Sequence, residues 1–225
     1  MTCAETLANR NVFCSWSGGK DSCLALWNAV QAGARPRLLL TMMVETGQRS
    51  RSHGLSLDIL SLQSAALGIP LATRSASWDS YEKVFTLALE GIRSEGIDTG
   101  VFGDIDIEDH RRWVERVCST QGVGAILPLW GRDHRNLVEE FLDAGFEAVI
   151  ISVKEEKLDK EFLGMQLSGE ILDRFAQVGV DASGEGGEYH TVVTNGPLFS
   201  RRVNLSTKGS VLRDGYWFLD VAGSL

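Results

Sequence analysis

The eight residues from Ser15 to Ser22 read SWSGGKDS. They stand between a short apolar run, Asn11–Trp16, and a segment from Asp21 to Gln31 whose apolar residues have helical spacing. A strand that passes through glycines into a helix presents backbone N–H groups and the positive end of the helix dipole to an anion. The stretch matches neither the GxxxxGKS/T phosphate loop nor the GxGxxG dinucleotide loop. It therefore predicts a phosphate-binding turn of a third kind.

The residue types in this turn suit a phosphate chain accompanied by a metal ion. Two adjacent glycines let the backbone approach closely, and serine hydroxyls add hydrogen-bond donors. Lys20 would neutralise anionic oxygen, and Asp21 suits a Mg²⁺ ion that bridges phosphate oxygens. A plain turn in which Ser17 or Asp21 caps the helix is the alternative, but the complete string after a buried strand favours function. The predicted phosphate contacts are Ser17, Gly18, Gly19, Lys20, Asp21 and Ser22.

The pattern along the chain alternates apolar runs with amphipathic segments. This alternation indicates an α/β fold with a doubly wound, Rossmann-like parallel sheet that helices cover on both faces. Beyond residue 153 it weakens into a short helix, an acidic glycine-rich loop and a β-rich tail with a turn at Asp214-Gly215. We expect a nucleotide-binding domain at 1–130 and a smaller α+β domain at 131–225 that receives the acceptor substrate. The expected strands are 11–16, 37–44, 71–73, 99–105, 125–127 and 146–153, and the expected helices are 21–31, 55–67, 81–92, 107–120, 136–144 and 168–176.

Composition and charge restrict the function classes. The chain has 225 residues, of which 44% are hydrophobic and 23% charged, as in ordinary globular proteins. Its net charge of −8, with no Lys/Arg cluster longer than two residues, disfavours nucleic acid and anionic membranes as partners. No apolar run approaches the ~20 residues that span a bilayer, and the start lacks a signal-peptide pattern, so we expect a cytoplasmic protein. The four cysteines, Cys3 among them, include no CxxC pair, and we expect reduced, mostly buried thiols.

The SGGKDS string resembles the pyrophosphate loop, SGGxDS, of the N-type ATP pyrophosphatases, the PP-loop superfamily. The resemblance implies the fold of the adenine nucleotide alpha hydrolases. It also implies that ATP, bound with Mg²⁺, is cleaved between its α- and β-phosphates, so that a nucleophile attacks an adenylated substrate. Backbone N–H donors, Lys20 and a metal ion at Asp21 would stabilise the charge on the departing pyrophosphate.

Further strings narrow this resemblance to one branch. They are His53-Gly54, Gly103–Ile105, Glu108–Cys118, Pro128–Trp130, Gly184–Thr191 and Gly196–Leu198. Together they resemble the diphthine-ammonia ligase family, also called diphthamide synthase, over roughly residues 13–199. That family joins ammonia to the diphthine carboxylate on elongation factor 2 and releases AMP and pyrophosphate. The resemblance implies an ATP-dependent, amide-forming ligase, with His53, Gly103 and Asp104 added to the nucleotide-binding residues. Asp104 follows an expected parallel strand, at the edge where α/β sheets bind ligands.

The tail string Gly184–Thr191 reads GEGGEYHT. Its glycine-spaced acids, Glu185 and Glu188, with His190, form a polar loop that could bind a cation, steer ammonium or remove a proton from it. A trimethylammonium-bearing substrate such as diphthine would suit carboxylates together with aromatic rings such as that of Tyr189. A solvated acidic turn is the alternative. The predicted catalytic residues are Lys20, Asp21, Glu185, Glu188 and His190.

The sequence departs from the family pattern at two positions. Family members usually carry GENGE after a cysteine, whereas this chain has Gly186 for the asparagine and Ser183 for the cysteine. Arginine outnumbers lysine 16 to 6, a bias common in GC-rich bacterial genomes. Bacteria are not expected to make diphthamide. A bacterial source would therefore mean another carboxylate acceptor for the ammonia.

Two other functions stay open, a tRNA-modifying PP-loop ATP pyrophosphatase and a nucleotide-binding module without turnover. The −8 charge and the missing cysteine pair disfavour the first, and the presence of both Lys20 and Asp21 disfavours the second. The sequence leaves the oligomeric state open, a homo-oligomer included.

Overall fold

The computed structural model describes residues 7–51 and 53–225, so Cys3 lies outside the described residues. The chain divides into two compact units. The first comprises Met1–Ser17, Asp21–Ser52 and Ile69–Gly131, and the second comprises Gly18–Lys20, His53–Gly68 and Arg132–Leu225. The second unit thus includes part of the glycine turn, although that turn precedes residue 131. The assignment of residues after 131 to an acceptor-substrate domain stays a prediction.

The first unit contains a five-stranded parallel sheet in the order β3-β2-β1-β4-β5. The strands are β1 (Asn11–Ser15), β2 (Arg35–Met43), β3 (Leu71–Ser75), β4 (Thr99–Val101) and β5 (Gly124–Ile126). The central strand β1 pairs with β2 on one side and β4 on the other, so the strand order reverses between β1 and β4. Open α/β sheets bind ligands at this switch point, beyond the carboxyl ends of the strands. The predicted Rossmann-like fold is confirmed.

Three helices belong wholly or largely to this unit: α1 (Lys20–Gln31), α3 (Tyr81–Ser94) and α4 (Glu108–Thr120). The buried residues of α3 are Phe85, Ala88, Leu89 and Ile92, which recur at the spacing of one helix face. They pack with Phe13 of β1 in one hydrophobic core. The apolar runs are therefore strands because they are buried on both faces of the sheet, and the periodic segments are helices because they cover it.

The second unit has an antiparallel sheet in the order β7-β6-β9-β8. Its strands are β6 (Glu147–Lys154), β7 (Tyr189–Asn195), β8 (Asn204–Arg213) and β9 (Tyr216–Ser224), and its helices are α2 (Leu57–Leu67), α5 (His134–Asp143) and α6 (Gly169–Gln177). The α+β character expected of the tail is confirmed. Asp214 and Gly215, both with positive φ, join β8 to β9, as the turn prediction required.

One local prediction needs correction. The strand expected over 99–105 ends at Val101, because the chain continues from there into the loop that carries Gly103 and Asp104. The polar stretch after β6 contains a 3₁₀ helix, Lys160–Phe162, whose Asp159 side chain accepts a hydrogen bond from the Glu161 N–H. Among the helices of the described residues, none combines the length and the apolar character that crossing a membrane requires.

Candidate functional site

The glycine turn is tightly packed within the second unit. Gly18 has a φ of +84°, and a Cβ atom there would lie 2.6 Å from a methyl group of Leu55. A Cβ atom on Gly19 would lie 2.4 Å from Nε2 of His53. Neither position accepts a side chain without displacing its neighbours, and Gly18 also needs the left-handed backbone region. Glycine is therefore required at both positions.

The carbonyl group of Gly18 is held by two donors. It accepts a hydrogen bond from the Val193 N–H at 2.9 Å and another from Nε2 of Gln63 at 2.9 Å. Nε2 of Gln63 also donates to the Val193 carbonyl at 2.8 Å, and Gln63 is 0% exposed. Because C=O and N–H point in opposite directions across a trans peptide, fixing the Gly18 carbonyl towards β7 turns the Gly19 N–H away from it.

Gln63 was not predicted from the sequence to contact the glycine turn, although its position in the helix indicated a buried polar side chain. It lies on the same face of α2 as Ile59, Leu60 and Ala66, all of which are buried. A polar side chain on the apolar face of a helix must be hydrogen-bonded, since an unpaired amide there is costly. That position could have been noted as a structural polar contact, but its partners, Gly18 and Val193, could not have been named.

Lys20 contacts the tail loop and the start of β7 in three ways, all within the second unit. Its backbone N–H donates to Oγ1 of Thr191 at 3.1 Å, and its ammonium group donates to the Ser183 carbonyl. The same ammonium group lies 5.0 Å from the centroid of the Tyr189 ring. Lys20 is only 4% exposed. The lysine of the glycine turn and the loop of the predicted acids are thus directly connected.

The first unit holds the remaining residues of the turn. The Ser17 N–H lies 3.3 Å from Oγ of Ser22, and the two hydroxyl oxygens are 3.0 Å apart. The loop after β4 packs against the start of α1, since a Cβ atom on Gly103 would lie 2.8 Å from the carbonyl carbon of Asp21. Gly103 therefore permits the close approach of these two loops at the switch point of the sheet.

Asp104 and Asp21 are close enough to interact electrostatically. Burial raises the pKa of Asp104 above its ordinary value, and the negative charge of Asp21 raises it further, although His110 opposes both effects. Nδ1 of His110 lies 3.5 Å from Oδ1 of Asp104. Within the residues described, no group of three or more His, Cys, Asp or Glu side chains could hold a metal ion. Two carboxylates fit Mg²⁺, which in phosphate sites takes one or two carboxylates and completes its shell with phosphate oxygens and water.

The tail loop is braced by a network around Ser183. Nδ1 of His134 lies 2.7 Å from Oδ2 of Asp181 and 3.1 Å from Oγ of Ser183, and the Ser183 hydroxyl donates to Oδ1 of Asp181. Burial by itself raises the pKa of Asp181, but hydrogen bonds from Ser183 and His134 outweigh it and leave this pKa below its ordinary value. The Asp181 carboxylate and the Ser183 hydroxyl both approach Nδ1 of His134, whereas in a Ser-His-Asp triad the two groups contact different ring nitrogens. The network instead holds the Ser183 carbonyl at the Lys20 ammonium group.

His53 and His190 form a ring pair in the second unit, with centroids 4.7 Å apart. Burial, the neighbouring His190 and Lys20 together hold the pKa of His53 well below its ordinary value. Burial and Lys20 lower the pKa of His190 to about 4. Both imidazoles are therefore uncharged at neutral pH, which leaves a ring nitrogen of each able to accept a hydrogen bond.

The two predicted acids occupy different positions in the tail loop. The backbone N–H of Glu185 donates to Oγ of Ser183 at 3.3 Å, and the Glu188 carbonyl accepts from the Lys154 N–H at 2.8 Å. A Cβ atom on Gly186 would lie 2.7 Å from Oε1 of Glu188, so the carboxylate lies over this glycine. Gly186, where the family usually has asparagine, has no side chain and so leaves room for the Glu188 carboxylate. Tyr189 is buried against Phe175 and Lys20, so its ring is not available to a ligand.

The predicted site residues thus form one group in each unit. The first unit brings together Ser17 and Ser22, and Asp21 with Gly103 and Asp104. The second unit brings Gly18, Gly19 and Lys20 together with His53 and His190, and connects Lys20 to the loop of Glu185 and Glu188. Thr191, Ser183 and Gln63 join the second group as contacts that the predicted site did not include.

Comparison with known proteins places the chain in a family. Residues 10–125 match the diphthamide synthase N-terminal domain, and residues 133–222 match the diphthamide synthase C-terminal domain. The diphthine–ammonia ligase of Rattus norvegicus is 28% identical over 236 residues, covering 92% of this chain and 86% of that protein. The diphthine–ammonia ligase of Homo sapiens is 26% identical over 235 residues, with the same two coverages. A solved U34-tRNA thiolase from Methanococcus maripaludis shares 15% identity and a TM-score of 0.38, over 61% of this chain and 56% of that one, too distant a likeness to carry an argument. Because the two domain matches together span most of the sequence, the chain belongs to the diphthamide synthase family of enzymes.

Proposed function

We propose that the chain is an ATP-dependent ligase that adenylates a carboxylate, releases pyrophosphate and forms an amide with ammonia. The observation that carries this proposal is the bonding of Lys20 to the tail loop, through the Ser183 carbonyl and Thr191. A phosphate-binding lysine fastened to the loop of Glu185 and Glu188 and to the strand of His190 would keep the leaving group and the acceptor within reach of one another. Family membership supports the same chemistry.

The glycine turn would hold the β- and γ-phosphates. Its proposed contacts are Ser17, Gly18, Gly19, Lys20 and Ser22, with Gly103 and His53 packed beside them. Gln63 supports this assignment, because it fixes the Gly18 carbonyl and so orients the next N–H group. The charge that develops on pyrophosphate as it leaves would be stabilised by backbone N–H groups and the Lys20 ammonium.

Asp21 and Asp104 are the residues that would hold Mg²⁺. Bound there, the ion would neutralise phosphate charge and so assist attack on the α-phosphate. Burial and the neighbouring carboxylate raise the pKa of Asp104, an unfavourable pairing of like charges that a divalent cation would relieve.

The tail loop would handle the acceptor and the ammonia. In the second half of the reaction the ammonia nitrogen bonds to the acyl carbon, the acyl–oxygen bond to AMP breaks, and the nitrogen loses a proton. His190 is the proposed acceptor of that proton, because it adjoins Thr191, which accepts a hydrogen bond from the Lys20 N–H. Glu185 and Glu188 supply negative charge for a cationic acceptor or for ammonium.

The cysteines do not favour sulfur transfer to tRNA as an alternative. Cys14, Cys23 and Cys118 are free and buried, and burial raises the pKa of each thiol. Among the cysteines that the structure describes, none is therefore an activated thiolate.

The decisive experiment supplies the enzyme with ATP, Mg²⁺, ammonium and elongation factor 2 that carries diphthine. We expect AMP and pyrophosphate in equal amounts and a one-to-one gain of amide on the factor. ADP and phosphate as products would refute the PP-loop chemistry. AMP formation that requires ammonium and another carboxylate, but not diphthine, would retain the reaction and change the acceptor.

A further inference from the structure

The ammonium group of Lys20 has partners that a phosphate would have to replace. Lys20 is 4% exposed, its ammonium group donates to the Ser183 carbonyl, and the same group lies 5.0 Å from the centroid of the Tyr189 ring. A buried ammonium is costly to leave unpaired, so these contacts stabilise this arrangement. A ligand that takes the ammonium group must displace them, and its apparent affinity falls as they become stronger.

The direction of the Ser183 carbonyl is set by the peptide group that follows it. The Gly184 N–H of that peptide donates to the Asp181 carbonyl at 3.2 Å. C=O and N–H point in opposite directions across a trans peptide, so this bond turns the Ser183 carbonyl away from Asp181 and towards Lys20. Ser183 is 1% exposed, and the contact is therefore shielded from water.

The peptide group before Ser183 is held at both ends. Its N–H donates to Oδ1 of Asp181 at 2.9 Å, and its carbonyl, that of Ala182, accepts from the Tyr189 hydroxyl at 2.6 Å. The Ser183 hydroxyl also donates to Oδ1 of Asp181 and accepts from the Glu185 N–H at 3.3 Å. Asp181 thus bonds Ser183 through both main chain and side chain, and leaves its carbonyl little freedom to turn.

The second oxygen of Asp181 is held by a helix. Oδ2 lies 2.7 Å from Nδ1 of His134, the first residue of α5. The start of this helix is capped by Asp133, whose side chain accepts from the Asn136 N–H at 2.9 Å. A carboxylate bonded at both oxygens, once to its own loop and once to a capped helix, keeps a single orientation.

We infer that Asp181, held by His134, is a positioning residue that acts through Ser183 on Lys20 and so limits the affinity of the glycine turn for a triphosphate group. The Ser183 carbonyl competes with phosphate for one ammonium group, and Asp181 keeps that carbonyl in place. The inference rests on the proposed function in one respect, that Lys20 binds phosphate. It predicts that loosening the loop tightens phosphate binding, whereas a brace that served only the fold would weaken it or leave it unchanged.

Calorimetry of the full-length protein with inorganic tripolyphosphate tests the inference without turnover. Asp181→Ala should lower the dissociation constant about three- to tenfold, because the competing carbonyl loses its support. Ser183→Ala removes the hydroxyl without changing any charge, and should lower it about two- to fivefold. Asp173→Ala is the matched control for the loss of a negative charge, since Asp173 is exposed and pairs with Arg135 in the same unit; it should stay within twofold of the wild type.

A double-mutant cycle shows whether the effect passes through the lysine. In a Lys20→Met background, Asp181→Ala should no longer change the affinity for tripolyphosphate. The same gain in that background would overturn the inference, as would unchanged or weaker binding in Asp181→Ala. Should Asp181→Ala fail to fold, Ser183→Ala decides alone, and unchanged or weaker binding there overturns the inference.

The two proposals fail separately. Tighter binding of tripolyphosphate by the variants, without formation of AMP from ATP by the wild type, would leave the role of Asp181 and refute the ligase. Formation of AMP and amide by a protein whose affinity for tripolyphosphate is the same with and without the Asp181 carboxylate would leave the ligase and refute the role of Asp181.

Discussion

The ammonium group of Lys20 donates a hydrogen bond to the backbone carbonyl of Ser183, 163 residues further along the chain. The Lys20 N–H and the Tyr189 ring make two more contacts between the glycine turn and the tail loop. If Lys20 binds phosphate as proposed, its ammonium group would have to leave the Ser183 carbonyl and the Tyr189 ring. Phosphate binding at the glycine turn would then be linked to the tail loop through this one side chain.

Replacing Lys20 should affect both loops. Lys20→Met keeps much of the volume but removes the charge, and we expect formation of AMP to fall about 10²–10³-fold, as when one donor to a developing anion is lost. The amides of residues 183–189 should also exchange hydrogen faster, because the tail loop loses its anchor. Mass spectrometry of exchanging peptides, with a product assay, measures both effects. Lys83→Met, at an exposed position of α3, is the control. Activity within threefold of the wild type would remove Lys20 from the reaction.

Asp104, a proposed Mg²⁺ ligand, should lower the free energy of unfolding at neutral pH. A carboxyl group whose pKa is raised on folding binds its proton more tightly in the native state, so stability falls as the pH rises above its ordinary pKa. Asp104→Asn should therefore raise the midpoint of urea unfolding at pH 7, and the gain should shrink as the pH is lowered towards 4. The same variant should need much more Mg²⁺ for turnover. Asp109→Asn, whose side chain is exposed, is the control. A variant less stable than the wild type at pH 7 would contradict this account.

Local features of the sequence were enough to predict the glycine turn and the parallel sheet. The turn lies within eight residues, and strands buried on both faces leave long apolar runs between periodic helices. The pairing of β6 with both β7 and β9 was not predictable, because these strands are partly exposed and their alternation is weak. The contacts of Gln63, Thr191 and Ser183 depend on that pairing, so the sequence identified the loops of the site but not the bonds that join them.

Gln63 should act as a positioning residue for the glycine turn. Gln63→Leu removes hydrogen bonds to the Gly18 and Val193 carbonyls, and buried bonds of this kind contribute about 1–3 kcal/mol when a partner is left unsatisfied. We expect a lower free energy of unfolding and a raised KM for ATP, with a smaller effect on kcat. Urea unfolding and steady-state kinetics measure these quantities. Gln31→Leu, at an exposed position near the end of α1, is the control. An unchanged KM would mean that Gln63 stabilises the fold without orienting the turn.

His53 and His190 should make stability depend on pH in the mildly acidic range. A histidine whose pKa is lowered on folding binds fewer protons in the native state, so stability is complete above the unfolded pKa and is lost as the pH falls. For His190 the loss runs from its ordinary pKa of 6.5 down to about 4, and it comes to about 2 kcal/mol between pH 7 and pH 5. His53 adds a loss of the same sign. His190→Gln should lessen the decline measured by urea unfolding at the two pH values, whereas Gln31→Leu, at an exposed position, changes no titratable group and should leave it unchanged. The same slope in His190→Gln as in the wild type would show that another group titrates and that folding does not lower the pKa of His190.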